Sequence, residues 1–387
     1  MTKKSSNVLG AGRRSDLATV TVDTQALADN FLKIRKFIAS SSSDARPMAV
    51  VKADAYGHGA DICVPVLSEC GCDLFAVATL DEALKVERAL RGKKADILIF
   101  QSTPPELAPV LCEHGFFQSV FSENYARALN SVIGEGQTLP IHIKLNTGMN
   151  RMGFDSKDPE AAAERIFSVL SECEGLSVRG IFSHLYAPDS ETRSKKQLGL
   201  FRKVCDGLVA RGVSIGMRHL AASGGIFASS EYYFDAVRPG ICLYGYGAPS
   251  SVGLVPVMKL CGRVTEVRSV VSGENVGYGE RKTERGGTLL TVSGGYADGI
   301  MRAFSGAHVT VKAAGGDVNA RIFGRVCMDC FMALVDESES DRGIRVGDEV
   351  ELFGKDRDLS ALADHAGTIE YECLTSAAMA RGGRYVI

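Results

Sequence analysis

The sequence predicts an α/β protein in which a closed parallel (β/α)8 barrel of the TIM type is followed by a mainly antiparallel β domain. Two observations predict it. Eight short apolar, β-branched runs alternate with helix-length segments before residue 254, and that texture then gives way to alternating runs separated by glycine turns. An open doubly wound sheet is the structural alternative. It usually has about five or six strands and a Gly-rich first turn, and neither is evident. At 387 residues the chain is long enough for about two domains. The expected boundaries are a mobile tail over 1–17, a barrel over 18–254 and a β domain over 255–387.

From Asp23 a helix is expected, with Leu27, Phe31, Ile34 and Ile38 at helical spacing after the capping candidates Asp23 and Thr24. The barrel strands are then "MAVVK" (48–52), "LFAVAT" (74–79), "DILIFQ" (96–101) and "FQSVFS" (117–122), followed by "IHIKLNT" (141–147), "VRGIFSHL" (178–185), "MRHLAAS" (217–223) and "AVRPGICLYG" (236–245). "TLDE" (79–82) and "TPPE" (103–106) both fit a capping box, the second with proline at the first helical position. The segment from Ser190 to Gly212 ends on a glycine, as helices often do. In the second domain "GRVTEVRSVV" (262–271), "HVTVKA" (308–313) and "DEVELFG" (348–354) read as strands, closed by short helices near 358–367 and 372–383.

Composition is that of an ordinary globular protein, 45% hydrophobic and 23% charged. A net charge of −2 gives no reason to expect nucleic acid or an anionic membrane as partner. No apolar run approaches the roughly 18 residues of a membrane span. The basic N-terminus lacks the apolar segment of a secretory signal. Eleven cysteines show no metal-ligand spacing, so no metal is expected. "CGC" (70–72) reads as small buried residues, and a reducing, cytoplasmic location fits best.

Active sites of such barrels sit at the C-terminal ends of the strands. Those ends carry Lys52, Lys144, His184, Ser223 and Arg238. Lys52 is a solvated strand end, a phosphate clamp or a nucleophile; a Walker-type loop is absent. Desolvation at the end of an apolar strand depresses a lysine pKa and makes the amine nucleophilic. Such an amine forms Schiff bases with carbonyls, of which pyridoxal phosphate (PLP) is the commonest partner. Tyr56 could reach a phosphate, and the turn after Arg238 offers the N–H groups of Gly240 and Ile241. "SGG" (223–225) is an anion cradle or simply a helix N-cap. Arg238 cannot give up its proton, so facing it a pyridine nitrogen would stay unprotonated.

"AVVKADAYGHG", "KLNTGMNRMGF", "SHLYAPD", "RPGICLYG", "VGYG", "GYADGIMR" and "GRVCMD" occur in that order over residues 49 to 329, within a likeness that runs from about 48 to 385. Together they resemble the bacterial alanine racemases, a family with a PLP barrel and a C-terminal β domain. The resemblance implies L- to D-alanine interconversion by two opposed bases on the PLP external aldimine, supplying D-alanine for peptidoglycan. Lys52 would carry the cofactor and act on the D-enantiomer. Tyr278, acting on the L-enantiomer, would reach in from the other subunit of a homodimer. By the same carry-over Tyr56, Ser223, Gly240, Ile241 and Tyr371 hold the phosphate, and His184 positions Arg238 and the ring. Arg151 and the N–H of Met328 meet the substrate carboxylate. Lys144 is a candidate for carbamylation, and Asp189, Tyr296, Arg302 and Arg325 line the entrance. Without the resemblance, Tyr371 reads as readily as a buried aromatic, Met328 as core filler and His219 as structural.

The sequence departs from the family pattern at Asn146, where Asp is usual, and at Ala222, where Asn is common. "QSTPPE" is less apolar than usual, and "YGERKT" lacks the usual Thr after Tyr278. A serine or broad-specificity racemase is the alternative within the same scaffold. A PLP-dependent decarboxylase is disfavoured by Arg238 and the lack of a glycine triplet. A non-catalytic PLP carrier would leave the β domain without purpose.

Overall fold

The structure, a computed structural model, describes residues 17–335 and 342–387. The tail expected over 1–17 lies, but for its last residue, outside the described residues. Two compact units are present: Thr24–Val255, and Pro256–Ile387 with the described residues before Thr24.

The first unit is the eight-stranded parallel barrel. Its strands are the interrupted Arg46–Pro47 and Ala49–Val50, then Leu74–Val77, Asp96–Ile99, Phe117–Val120, Leu139–Asn146, Leu176–Phe182, Met217–Ala222 and Ala236–Arg238. Neighbours in sequence are neighbours in the sheet. The ring closes because the first strand splits its pairing: Ala49 and Val50 face Phe75 and Ala76, while Arg46 and Pro47 face Ala236 and Val237. Near-continuous apolar runs such as Leu74–Val77, buried throughout, are what two covered faces demand. The helix Thr24–Ser40 buries the expected Leu27, Phe31, Ile34 and Ile38. The helix Leu80–Leu90 buries Ala83, Val86 and Leu90 on one stripe.

The two expected capping boxes fare differently. Thr79 accepts from the Glu82 N–H at 3.3 Å, but the Glu82 carboxylate does not close the box. It accepts instead from the N–H groups of Ala78 and Ala53, both at 2.7 Å. The box at 103–106 does not form. Thr103 donates its hydroxyl to Gln118 at 2.7 Å, and Pro105–Leu107 makes a 3-10 turn before the helix Ala108–His114. A buried glutamine amide outcompeted the helix end for that hydroxyl.

The second unit is built on a closed antiparallel ring. Met258–Val270 pairs with Gly287–Ser293, and the ring continues through Cys330–Val335, Gly316–Ile322, His308–Ala313 and Glu349–Phe353 back to it. Thr19–Val22 pairs antiparallel with Met258–Cys261, and Arg384–Val386 pairs parallel with Thr19–Val22. The barrel expected from residue 18 therefore begins at Thr24. The alternating burial of Thr19–Val22 suits a sheet with one covered face, not a barrel wall. The helices Leu359–Ala366 and Glu370–Ala377 complete the unit. Among the described residues, no helix is long and apolar enough to cross a membrane.

One buried ion pair tests this unit. The Asp298 carboxylate is fully buried and accepts from Arg381 at 2.7 and 2.9 Å and from the Gly295 N–H at 3.0 Å. Burial alone would raise its pKa, but the hydrogen bonds from Arg381 and the backbone outweigh that and leave it lowered. A lowered folded-state pKa adds stability that is present above the unfolded value of about 3.9 and lost as pH falls through the folded one. Asp298→Asn should cost on the order of 2 kcal/mol near neutrality, as for hydrogen bonds to charged groups. Denaturant melts at descending pH should bring variant and wild type together; a gap unchanged below pH ~3 would refute the assignment.

Candidate active site

Lys52 follows the first barrel strand and opens a turn of unusual backbone. Ala53, Asp54, Ala55 and Tyr56 all have φ between 51° and 56°, a left-handed run without a glycine. Each such residue costs roughly 1–2 kcal/mol, so the surroundings must hold the turn. Glu82 takes the Ala53 N–H, Asp54 accepts from the Ala60 N–H at 2.9 Å and pairs with Lys85, and Gly57 N–H returns to Ala53 O at 2.9 Å. His58 donates from Nδ1 to the Ala55 carbonyl at 2.9 Å and stacks on Tyr244. The turn thus fixes Lys52 on one side and Tyr56 on the other.

Burial lowers the Lys52 pKa, Arg151 lowers it further, and Glu82 opposes. Lys144 is buried with its ammonium 4.6 Å from the Phe182 ring centroid. Burial, then Arg238 and Arg151, push its pKa well down. His184 is held neutral by burial and by Arg238, Lys144, Arg151 and Lys52. Five of the expected residues therefore feel one another's charge, and the cluster they form is cationic. Such a field suits a ligand bearing a phosphate and a carboxylate.

Ser223 and the turn after Arg238 make the cradle. Ser223 Oγ accepts from the N–H of Gly240 at 3.0 Å and of Cys242 at 3.4 Å. A Cβ on Gly240 would lie 2.7 Å from the Tyr56 hydroxyl, so only glycine lets that hydroxyl approach the cradle. Ile241 begins the 3-10 turn that follows. The hydroxyls, amides and nearby cations fit the phosphate of PLP.

Arg238 is buried and fixed on several sides, donating to the carbonyls of Ser183 at 2.7 Å and Leu220 at 2.9 Å, and to His219 Nδ1 at 2.7 Å. Burial, then Arg151, lowers its pKa to about 9, which leaves it protonated at neutral pH. Because Arg238 can only donate, His219 Nδ1 accepts. Burial and Arg238 keep His219 neutral, so its proton sits on Nε2 and is donated to His142 Nδ1, 2.9 Å away. His219 is thus a positioning residue for Arg238. His142 extends the chain, and its signal in the sequence was its place two residues before Lys144 on the same strand face.

Asn146 tests the departure from Asp. Its side-chain oxygen accepts from the N–H groups of Gly148 at 3.2 Å and Asn150 at 2.9 Å, and its amide donates to Asn150 Oδ1. The asparagine orders the loop that leads to Arg151 without adding a charge. Asp189 is exposed, after the strand that precedes His184.

In the second unit Tyr278, Tyr296, Arg302, Val326 and Cys327 line one cavity of about 440 Å³. Tyr278 is 68% exposed at the tip of a hairpin, between Gly277 and Gly279, both with positive φ. Met328 is 53% exposed beside Cys327, Arg325 is exposed one residue before Val326, and Tyr371 is exposed on its helix. Neither Met328 nor Tyr371 is a core residue.

A parallel barrel with a depressed lysine after its first strand, a serine–amide cradle and a buried arginine defines a PLP-dependent barrel enzyme. Residues 22–248 match the family described as "Alanine racemase, N-terminal domain" and residues 257–384 "Alanine racemase, C-terminal domain". The alanine racemase of Clostridium novyi is 36% identical over 360 residues, 89% of this chain and 90% of that protein. Among solved structures, alanine racemase from Bacillus anthracis with bound L-Ala-P superposes with a TM-score of 0.84 at 29% identity, covering 95% of this chain and 94% of that one. Alanine racemase from Bartonella henselae with covalently bound pyridoxal phosphate gives 0.83 at 30% identity, covering 96% and 99%. The chain belongs to the alanine racemase family, isomerases that depend on PLP.

Proposed function

We propose that the protein interconverts L- and D-alanine with two bases, Lys52 on one face of the substrate and Tyr278 on the other. The observation that carries this is the Lys52 amine, depressed and set among Lys144, Arg151, His184 and Arg238. PLP, when bound, supplies an electron sink that acidifies the substrate Cα–H. Tyr56, Ser223, Gly240, Ile241 and Tyr371 would hold its phosphate. Arg238, able only to donate, would face its ring nitrogen and keep that nitrogen unprotonated. A weaker sink suits proton exchange and disfavours longer-lived carbanions with their side reactions.

Lys52 Nζ takes or returns the proton of D-alanine, aided by a pKa that keeps more of the amine neutral. Tyr278 Oη does the same for L-alanine, and a tyrosine needs a nearby cation to act so at neutral pH. Arg151 serves that need and, with the N–H of Met328, holds the substrate carboxylate. A neutral Lys144 amine is the form that carbamylation requires. Asp189, Tyr296, Arg302 and Arg325 form the entrance. The barrel over 24–255 is assigned to the cofactor, and the β unit of a second copy to Tyr278, in a homodimer. The relatives' name favours alanine over serine. The physiological role is D-alanine supply for peptidoglycan in the cytoplasm, where eleven free cysteines would be stable.

The test is direct. Purified holoenzyme given L-alanine should lose optical rotation to zero, while serine and lysine decay far more slowly. Persistence of rotation with PLP bound would overturn the reading. The relay gives a further expectation: His219→Phe removes the acceptor for Arg238 and should lower kcat/KM for alanine about tenfold, or ~1.4 kcal/mol. The visible absorption maximum of the bound cofactor should shift with it; an unshifted spectrum would mean His219 is only structural.

A further inference from the structure

Tyr296 and Cys327, which line the second unit's cavity, are joined through backbone, since the Tyr296 N–H donates to the Cys327 carbonyl at 3.0 Å. The Ala297 N–H likewise donates to the Met328 carbonyl at 3.1 Å. A Cβ on Gly295 would lie 2.3 Å from Cys327 O and 2.4 Å from Met328 C, so the two segments touch backbone to backbone. Any twist in the turn at Met328 therefore reaches both the Met328 amide and Tyr296. That turn is bounded by two cysteines, in the order Cys327-Met328-Asp329-Cys330.

The two thiols are placed to meet. The Cys327 N–H donates to the Cys330 carbonyl at 2.9 Å across the two-residue turn. Hydrogen-bonded antiparallel neighbours have α-carbons roughly 5.5 Å apart, inside the range a disulfide spans. The Cys327 thiol donates to the Arg325 carbonyl at 3.4 Å, and Cys327 lies close enough to Cys330 to shift its thiol. Both are free and half-buried, whereas seven of the other nine cysteines are buried. Cys330 is further pinned by its strand, opposite Ser293. Burial, with Cys327 and Asp329 beside it, raises the Cys330 pKa, which suits a thiol that attacks second.

We propose that Cys327 and Cys330 form a reversible redox site that closes a disulfide around Met328 and weakens substrate binding. The oxidant is a small-molecule disulfide. The Cys327 thiolate, on the cavity wall, attacks one of its sulfurs, forming a mixed disulfide and expelling one thiolate. Cys330, losing its proton to solvent, then attacks Cys327 Sγ, expels the second thiolate and forms the Cys327–Cys330 bond. Two electrons pass from the protein to the reagent, which leaves as two thiols. The effect on substrate rests on the reading of Met328 in the proposed function; the thiol chemistry does not.

Reduced holoenzyme treated with oxidised glutathione tests both parts. The product should be lighter by two hydrogens, with peptide mapping joining Cys327 to Cys330, and dithiothreitol should reverse it. In Cys330→Ser, which keeps basal activity, a glutathione adduct should accumulate on Cys327. The oxidised wild type should show KM for alanine raised roughly tenfold, as for small misplacements of a binding group. If both thiols are still alkylated by iodoacetamide after treatment, or Cys330→Ser gathers no adduct on Cys327, the redox site is wrong. If the disulfide forms and KM stays the same, its effect on binding is wrong. Should the reduced enzyme fail to racemise alanine, the proposed function falls while the mass and mapping results still decide the thiol chemistry.

Discussion

Lys52→Ala should lower racemisation by about four orders of magnitude or more and leave the purified protein without the visible absorbance of lysine-bound PLP. The size follows from losing two things at once, the nitrogen that holds the cofactor and the base on one face, the latter alone being worth about 10²–10⁴. The fold should survive, because the left-handed turn is held by Glu82, Asp54 and His58 rather than by the lysine side chain. Unchanged circular dichroism and melting would show that. Added methylamine should restore part of the rate, since the variant lacks only an amine. Retained activity above about one per cent of wild type would remove Lys52 from the mechanism.

Much of the barrel was legible because parallel strands buried on both faces read as short continuous apolar runs. "LFAV" and "DILI" appear in the structure within a residue or two of where their composition placed them. The first strand was harder, because Arg46 and Pro47 do not look like a barrel wall, yet they close the ring against Ala236 and Val237. Thr19–Val22 shows the limit of local pattern. Its alternation marks a strand with one covered face, but nothing nearby in sequence says that its partner begins at Met258.

The site divides the same way. Lys52, Lys144, His184, Ser223 and Arg238 were visible because polar residues have no structural reason to end apolar strands. What supports them was not. Glu82 read as half of a capping box, whereas its carboxylate spans to Ala53 and braces the turn after Lys52. The His142–His219–Arg238 chain needs three strands brought together: spacing places His142 on the Lys144 face but does not encode its pairing with His219. For Cys327 and Cys330 the sequence offers a C-x-x-C spacing, and the turn that the Cys327 N–H closes onto the Cys330 carbonyl is what the structure adds.

Tyr278→Phe separates a two-base mechanism from a one-base one. The enantiomers have an equilibrium constant of unity, so kcat/KM must fall equally in both directions, by about 10²–10⁴ for a lost base. Slowed racemisation by itself therefore does not say which face was damaged. Exchange of the α-proton does. In D₂O the variant should still wash deuterium into D-alanine through Lys52, without inversion, while exchange into L-alanine is lost. Equal exchange into both enantiomers would mean one base reaches both faces, and Tyr278 would not be the second. Mixing then asks where the tyrosine comes from. Lys52→Ala and Tyr278→Phe subunits, each inactive alone, can form in a mixed dimer one site that has both bases if Tyr278 is supplied by the second copy. Recovered activity after subunit exchange would match a hairpin tip that leaves Tyr278 68% exposed in the isolated chain. Exchange confirmed by mass with no recovery would place both bases in the same chain.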